Sequence, residues 1–273
     1  MNQLTHLARQ KGTTRLRSTL YWSLAHALLL ARRQLTQIRR QPDQLIFATL
    51  QPVFLTLLFR YVFGGAIAVS GTSYANFLMA GIFVEAALTS SLSTGFGLST
   101  DLARGLIDRF RSLPMAQSAV LTGRTLADLT RNGFVVLVMG AVGLLVGFRP
   151  AGNPLAWLAA TGLILLTCFA FSWLSAVPGL LLSSSEAVQS ASLILLYPLL
   201  LASNAFVPTS TMPLVLRVFA EHQPVSVVIG AVRGLLLDRP DVPSIWQAIA
   251  WLLGLLVISI PLALLAYGHR TAR

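Results

Sequence analysis

Asp101, Arg104, Gly105, Asp108, Arg109 and Arg111 fall within a short internal stretch of an otherwise apolar chain. Asp101, Arg104, Asp108 and Arg111 recur at intervals of 3, 4 and 3, which sets alternating charges along one helix face. Leu98, Leu102, Leu106, Phe110 and Leu113 recur at 4, 4, 4 and 3 along another. Pro114 ends the run, because the residue before a proline is steered away from helical geometry. The chemistry open to such a surface is recognition. Charges at fixed spacing can match a groove on a partner and set its register, and the same pattern also suits a solvated face resting on a membrane. Glu85 is the one acid well inside an apolar run. A carboxyl there is costly and faces a bundle interior or a cavity. It is either a contact on a substrate path or a protonated or internally paired structural group.

No machinery for bond breaking accompanies these residues. A phosphate-cradling loop needs a lysine after Gly-x-x-x-x-Gly, and the one lysine, Lys11, lies in a polar tail remote from any glycine-rich loop. His6, His26, His222 and His269 are scattered without metal-ligand spacing, and no carboxylates pair within the apolar runs. The expectation is a chain without catalytic residues, metal ligands or a nucleotide site of its own.

Composition then fixes the setting. The 273 residues are 55% hydrophobic and 11% charged, against roughly 25% charged in a soluble domain, and the mean hydropathy is +0.72. Several apolar runs reach the ~20 residues that cross a hydrocarbon core. This is the pattern of an integral membrane protein. The net charge of +11 rests on nineteen arginines and one lysine, most of them between apolar runs. That placement reads as membrane topology and argues against a nucleic-acid partner. Cys168, the single cysteine, lies in an apolar helix as a small core residue, so no intrachain disulfide forms.

The elements follow from the periodicity. Tyr21, Leu24, Leu28, Ala31, Leu35 and Ile38 make a 3-4-3-4-3 stripe, with Arg32, Arg33, Arg39 and Arg40 available to lipid headgroups. Ala25-His-Ala27 resembles a signal-peptide cleavage site, but the apolar patch holds His26 and runs straight into Arg32. Residues 1–41 therefore read as a cytosolic tail and interfacial amphipathic helix, 42–268 as a six-span domain, and 269–273 as a second tail. The spans are expected at about 44–63, 74–98, 118–147, 155–182, 187–206 and 245–267. The third would reach about 45 Å at 1.5 Å per residue, so its first turns, with Arg124, Asp128 and Arg131, are expected to project into the cytosol. The i, i+4, i+7 spacing lets Asp128 pair with either arginine. Pro208, Pro213, Pro224, Pro240 and Pro243 break up residues 207–244, whose short apolar pieces suit a re-entrant or external hairpin. Six spans put both termini on one side with fifteen basic residues, against four on the other, and the positive-inside rule makes the richer side cytosolic.

Several segments together resemble a known family. Gly105-Leu-Ile-Asp-Arg-Phe-Arg-Ser-Leu-Pro-Met115, then Ser118-Ala-Val-Leu-Thr-Gly-Arg124 and Leu126-Ala-Asp128, look like the permeases of ABC-2 type exporters, specifically the daunorubicin/doxorubicin-resistance permeases. Arg39-Arg-Gln-Pro-Asp43, Val62-Phe-Gly-Gly-Ala-Ile67, Asn204-Ala-Phe-Val-Pro208, His222-Gln-Pro-Val-Ser226 and Ala231-Val-Arg-Gly234 agree in order. The resemblance covers residues 30 to 268 and implies an all-α, six-helix permease half. It would pair with a second copy or a similar permease and be driven by two separate P-loop ATPase subunits that hold ATP and magnesium. By the same resemblance the helix after span two docks on the ATPase, with Asp101, Arg104, Gly105, Asp108, Arg109 and Arg111 as contacts. Glu85 departs from the family pattern, which favours an uncharged polar residue there. The implied function is export of amphipathic drugs, secondary metabolites or lipids across a bacterial cytoplasmic membrane. A proton-coupled secondary transporter and a non-transporting membrane scaffold stand as the alternatives.

Overall fold

The computed structural model describes residues 42–103, 117–182 and 184–271, and every regular element among them is helical. The amphipathic helix expected before residue 41 and the charged segment from Arg104 to Leu113 lie outside the described residues.

Helix α1 (Pro42–Leu57) passes into a π-helical stretch, Leu58–Phe63, that stops at Gly64. Helix α2 (Tyr74–Ala103) runs five residues beyond the expected end at 98. The hydroxyls of Ser99 and Thr100 turn back onto the Phe96 carbonyl (2.8 and 3.0 Å), which keeps these polar residues satisfied within the helix. Helix α3 covers Gln117–Leu145 and α4 covers Pro154–Leu181, the latter opened by Asn153 accepting from the Ala156 N–H at 2.8 Å. Helix α5 (Ser185–Leu201) is capped by Ser184 accepting from the Ala187 N–H.

The chain leaves α5 five residues before the expected end at 206. The Ser203 hydroxyl donates locally to the Leu200 carbonyl and the Asn204 N–H is taken by Ser226 Oγ, so a side-chain bond and a tertiary partner replace the next helical bonds. After a short 3₁₀ turn, Thr209–Thr211, helices α6 (Leu214–His222) and α7 (Pro224–Leu236) meet at a 67° bend. Val225, Val228, Ile229, Ala231 and Val232 of α7 are buried, whereas most of α6 is exposed. At the prolines the chain thus forms a bent helical pair, the α6–α7 hairpin, whose α7 arm packs into the bundle. Helix α8 (Val242–Thr271) closes the fold.

Helices α2 and α4 form the centre. Of the apolar window of α2, 78% is buried, against 28% for α8 on the periphery. The two central helices meet backbone to backbone: a Cβ on Gly95 would sit 2.2 Å from the Ser175 carbonyl oxygen, and one on Gly179 would sit 2.5 Å from that of Gly95. Small residues that permit such an approach are what hold helices together where lipid removes the hydrophobic drive.

Among the described residues, four helices are long and apolar enough to cross a membrane: Tyr74–Ala103, Asp128–Leu145, Pro154–Leu181 and Val242–Gly268, with the bent pair as a fifth if counted as one span. Ala48–Phe63 and Ser185–Leu201 are shorter apolar helices. At 1.5 Å per residue they reach only about 24 to 26 Å, short of a roughly 30 Å core. Large apolar side chains such as Leu137, Ile194 and Val257 are exposed on the outside of the bundle. The chain is a multi-pass membrane protein.

Candidate functional site

Of the charged residues singled out in the sequence, Asp101 occupies the last turn of α2 and is half-buried. Arg104, Gly105, Asp108, Arg109 and Arg111 lie outside the described residues. Glu85 sits near the middle of α2, only 1% exposed. Its Oε1 accepts from Gln51 Nε2 of α1 at 3.1 Å, and its Oε2 has no hydrogen-bond partner among the described residues. The structure therefore places Glu85 between two helices, enclosed, and ties it to a partner that local spacing does not reveal.

A polar seam lies nearer the Ala103 end of α2. Thr89-Ser-Ser-Leu-Ser-Thr94 interrupts an apolar helix, and such a run needs partners. Helices α3 and α4 supply them. Arg131 and Asp128 form an ion pair at 3.0 Å with side chains 10% and 9% exposed. The Thr94 hydroxyl donates to the same carboxylate. Arg131 donates to the Ser90 hydroxyl (2.8 Å), the Ser90 carbonyl (2.9 Å) and the Ser93 hydroxyl. Asn132 reaches Ser90 Oγ at 3.0 Å and Cys168 Sγ at 2.8 Å, and Ser175 of α4 donates to the Ser91 carbonyl at 2.7 Å. The pairing of Asp128 with an arginine was legible in the spacing. Its surroundings were not: Asp128 and Arg131 are clasped against the serine run of α2. Three helices that could slide past one another are pinned at one level.

The other end of the bundle is latched through backbone carbonyls. Arg60 Nε donates to the Val146 carbonyl (3.2 Å), the Tyr74 hydroxyl to the Phe206 carbonyl (3.0 Å), and both Ala151 and Gly152 N–H to the Leu236 carbonyl (3.1 Å each). Arg233 of α7 crosses to α2, its guanidinium 3.7 Å from the centre of the Phe77 ring. Its Nε donates to the Phe77 carbonyl (3.2 Å) and its Nη2 to the Asn204 carbonyl (2.7 Å). A lone arginine in the apolar run Val225–Leu237 is the sequence signal for this latch.

The geometry is that of a helical membrane unit with a pinned seam towards one end, a latched hairpin at the other, and a long helix leading to a charged segment. The ABC-2 type transporter family matches residues 26–237. The chain is 34% identical over 240 residues, 88% of its length and 85% of the relative's, to the daunorubicin resistance ABC transporter permease protein DrrB1 of Streptomyces coeruleorubidus. It is 27% identical over 251 residues, 91% and 90% of the two chains, to the probable doxorubicin resistance ABC transporter permease protein DrrC of Mycobacterium tuberculosis. A putative transport permease of the red alga Porphyra purpurea, ycf38, is 26% identical over 75% of this chain and 71% of its own. With most of its length matched by the family and by a drug-resistance permease above 30% identity, this chain is a membrane-embedded member of the ABC-2 type transporter family.

Proposed function

We propose that this chain is one permease half of an ATP-driven exporter that releases amphipathic molecules (drugs, secondary metabolites or lipids) from a bacterial cytoplasmic membrane. The observation that carries the reading is the near full-length similarity to drug-resistance permeases, joined to an all-helical described fold. Two P-loop ATPase subunits bind the ATP and magnesium, and a second permease, identical or related, completes the path. The domain keeps its span count of six, with α1 and α5 crossing as short helices over which the bilayer thins, and both termini are cytosolic. The fifteen-to-four bias of basic residues supports this orientation.

In this reading Asp101, Arg104, Gly105, Asp108, Arg109 and Arg111 dock on the ATPase. Helix α2 gives that contact a direct line into the bundle, since Asp101 lies in its last turn and its other end reaches Tyr74. Because α2 is held to α4 at Gly95 and Gly179 and to α3 by the polar seam, a push at the charged segment moves a block of three helices rather than one. Glu85, enclosed against Gln51 here, would meet a cationic substrate only after α1 and α2 separate.

The test is purification of the tagged chain from its native membrane in mild detergent. A P-loop ATPase should co-elute in near-stoichiometric amount, and the D108R/R111D double variant should lose it while the permease stays intact. An intact permease with no ATPase, or transport that survives ATP depletion and collapses with the proton gradient, would overturn the proposal. For Glu85 the decisive comparison is export of cationic against neutral drugs by E85Q. Equal rates for both, unchanged from the parent, would end its assignment to the substrate path.

A further inference from the structure

At the hairpin end of the bundle a cavity of about 420 Å³ opens among the loop following α1, the chain before α6, and the last turns of α7. Ser70, Thr72, Ser210, Phe77, Arg233 and Arg239 contribute to its wall, and among the described residues lining it none is acidic. Backbone geometry brings the two arginines together. Helix α7 ends with Asp238 in the left-handed region (φ 56°), and the Arg239 N–H donates to the Gly234 carbonyl at 2.9 Å. This αL cap folds the chain back over the last helical turn. Gly71, also left-handed (φ +77°), turns the facing loop so that its α-carbon passes the Arg239 guanidinium: a Cβ there would lie 3.4 Å from Arg239 Nη1.

The two cations are not neutralised. Arg233 spends two of the five N–H donors of a guanidinium on carbonyls, which leaves three and keeps the full charge. Among the described residues Arg239 makes no side-chain hydrogen bond or ion pair. Arg239 and its chain neighbours Asp238 and Asp241 are all exposed, and neither aspartate forms an ion pair among the described residues. Holding Arg233 partly out of water without a carboxylate is unfavourable, and the Phe77 face and two carbonyl dipoles offset this only in part, while Arg239 reaches the same cavity from its exposed rim. Two uncompensated guanidiniums with three hydroxyls on one cavity wall match a phosphate, which guanidinium forks bind with charge-assisted hydrogen bonds.

We propose that this cavity is an anion site that takes the phosphate of an anionic headgroup, with Arg233 and Arg239 as its ligands. The site stands on its own geometry and does not depend on what the protein transports. The same phosphate chemistry is offered by a bilayer lipid and by free phosphate, and the experiment separates them. The full-length chain, purified in dodecylmaltoside, is titrated with phosphatidylglycerol, phosphatidylcholine or inorganic phosphate while its melting temperature is followed. Phosphatidylglycerol is expected to raise it saturably and well above phosphatidylcholine, and R239Q to weaken the apparent affinity by about tenfold, the worth of a lost charge-assisted contact. R217Q, outside the cavity, should titrate like the parent. A saturable, Arg239-dependent shift with inorganic phosphate alone would support the site as one for the free anion. A shift only with phosphatidylglycerol would support the lipid headgroup. R233Q should show the same loss; if it fails to fold, because Arg233 also holds α7 to α2, R239Q decides alone. No saturable response to any anion, equal melting-temperature increases with the two lipids, or an R239Q titration identical to the parent's would each overturn the proposal.

Discussion

The two ends of the bundle treat arginine in opposite ways. At the seam, Arg131 meets a carboxylate, two serine hydroxyls and a carbonyl, and its charge is cancelled inside three packed helices. At the hairpin, among the described residues, Arg233 meets only carbonyls and an aromatic face, the exposed Arg239 side chain forms no hydrogen bond or ion pair, and both border open space. The same residue type is structural in one place and available in the other. What separates the cases is the acid: a paired charge in low dielectric fixes a packing arrangement, whereas an unpaired one leaves a field that attracts an anion.

Breaking the seam tests the first half of that contrast and should have the largest effect. Asp128→Ala leaves Arg131 without its counter-charge and is expected to cost about 3–5 kcal/mol, read as a lower melting temperature in detergent. Replacing both partners, as in D128N/R131M, should recover much of the loss; if the double variant is as unstable as the single, the ion pair is not what pins the helices. Next in size is Gly179→Ala. Its methyl would press on the Gly95 backbone, and overpacking of that kind costs about 1–3 kcal/mol. A variant with unchanged thermal stability would show that α2 and α4 can separate freely, against the three-helix block.

The hairpin end should respond differently. Arg239→Gln is expected to leave the basal melting temperature near that of the parent and to remove the anion-dependent increment. If it lowers basal stability as Asp128→Ala does, the cavity arginine is structural after all and the contrast fails. The smallest effect is expected at Arg217, an exposed residue bonded to Glu221 at 2.8 Å. Arg217→Gln should produce no measurable shift, as exposed pairs commonly do.

Much of the architecture was legible in the chain. The helix starts at Tyr74, Pro154 and Ser185 fall within two residues of the expected span starts, the last two because Asn153 and Ser184 cap the turns that follow them. The break between α6 and α7 was marked by Pro224. Helix ends were read less well. Leu201 ends α5 because Ser226, far along the chain, captures the Asn204 N–H, and no local pattern carries that information. Of the candidate site, the sequence supplied the residue types and Glu85's isolation, yet neither Gln51 as its partner nor Arg239 as a companion of Arg233.

The division has a physical origin. Hydropathy, helical period and capping are short-range properties, so the sequence by itself determined a multi-pass helical protein, the approximate place of each apolar run, the Asp128–Arg131 spacing, and the lack of a Gly-x-x-x-x-Gly-Lys loop. Which face of one helix meets which face of another is set by packing. Only the tertiary structure decided that Gln51 meets Glu85 34 positions away, that Arg131 enters the serine run of α2 at a separation of 41, and that Arg233 crosses 156 positions to stack on Phe77. An unpaired charge becomes visible only after every neighbour has been placed, so the pocket belongs to the fold and not to any stretch of its sequence.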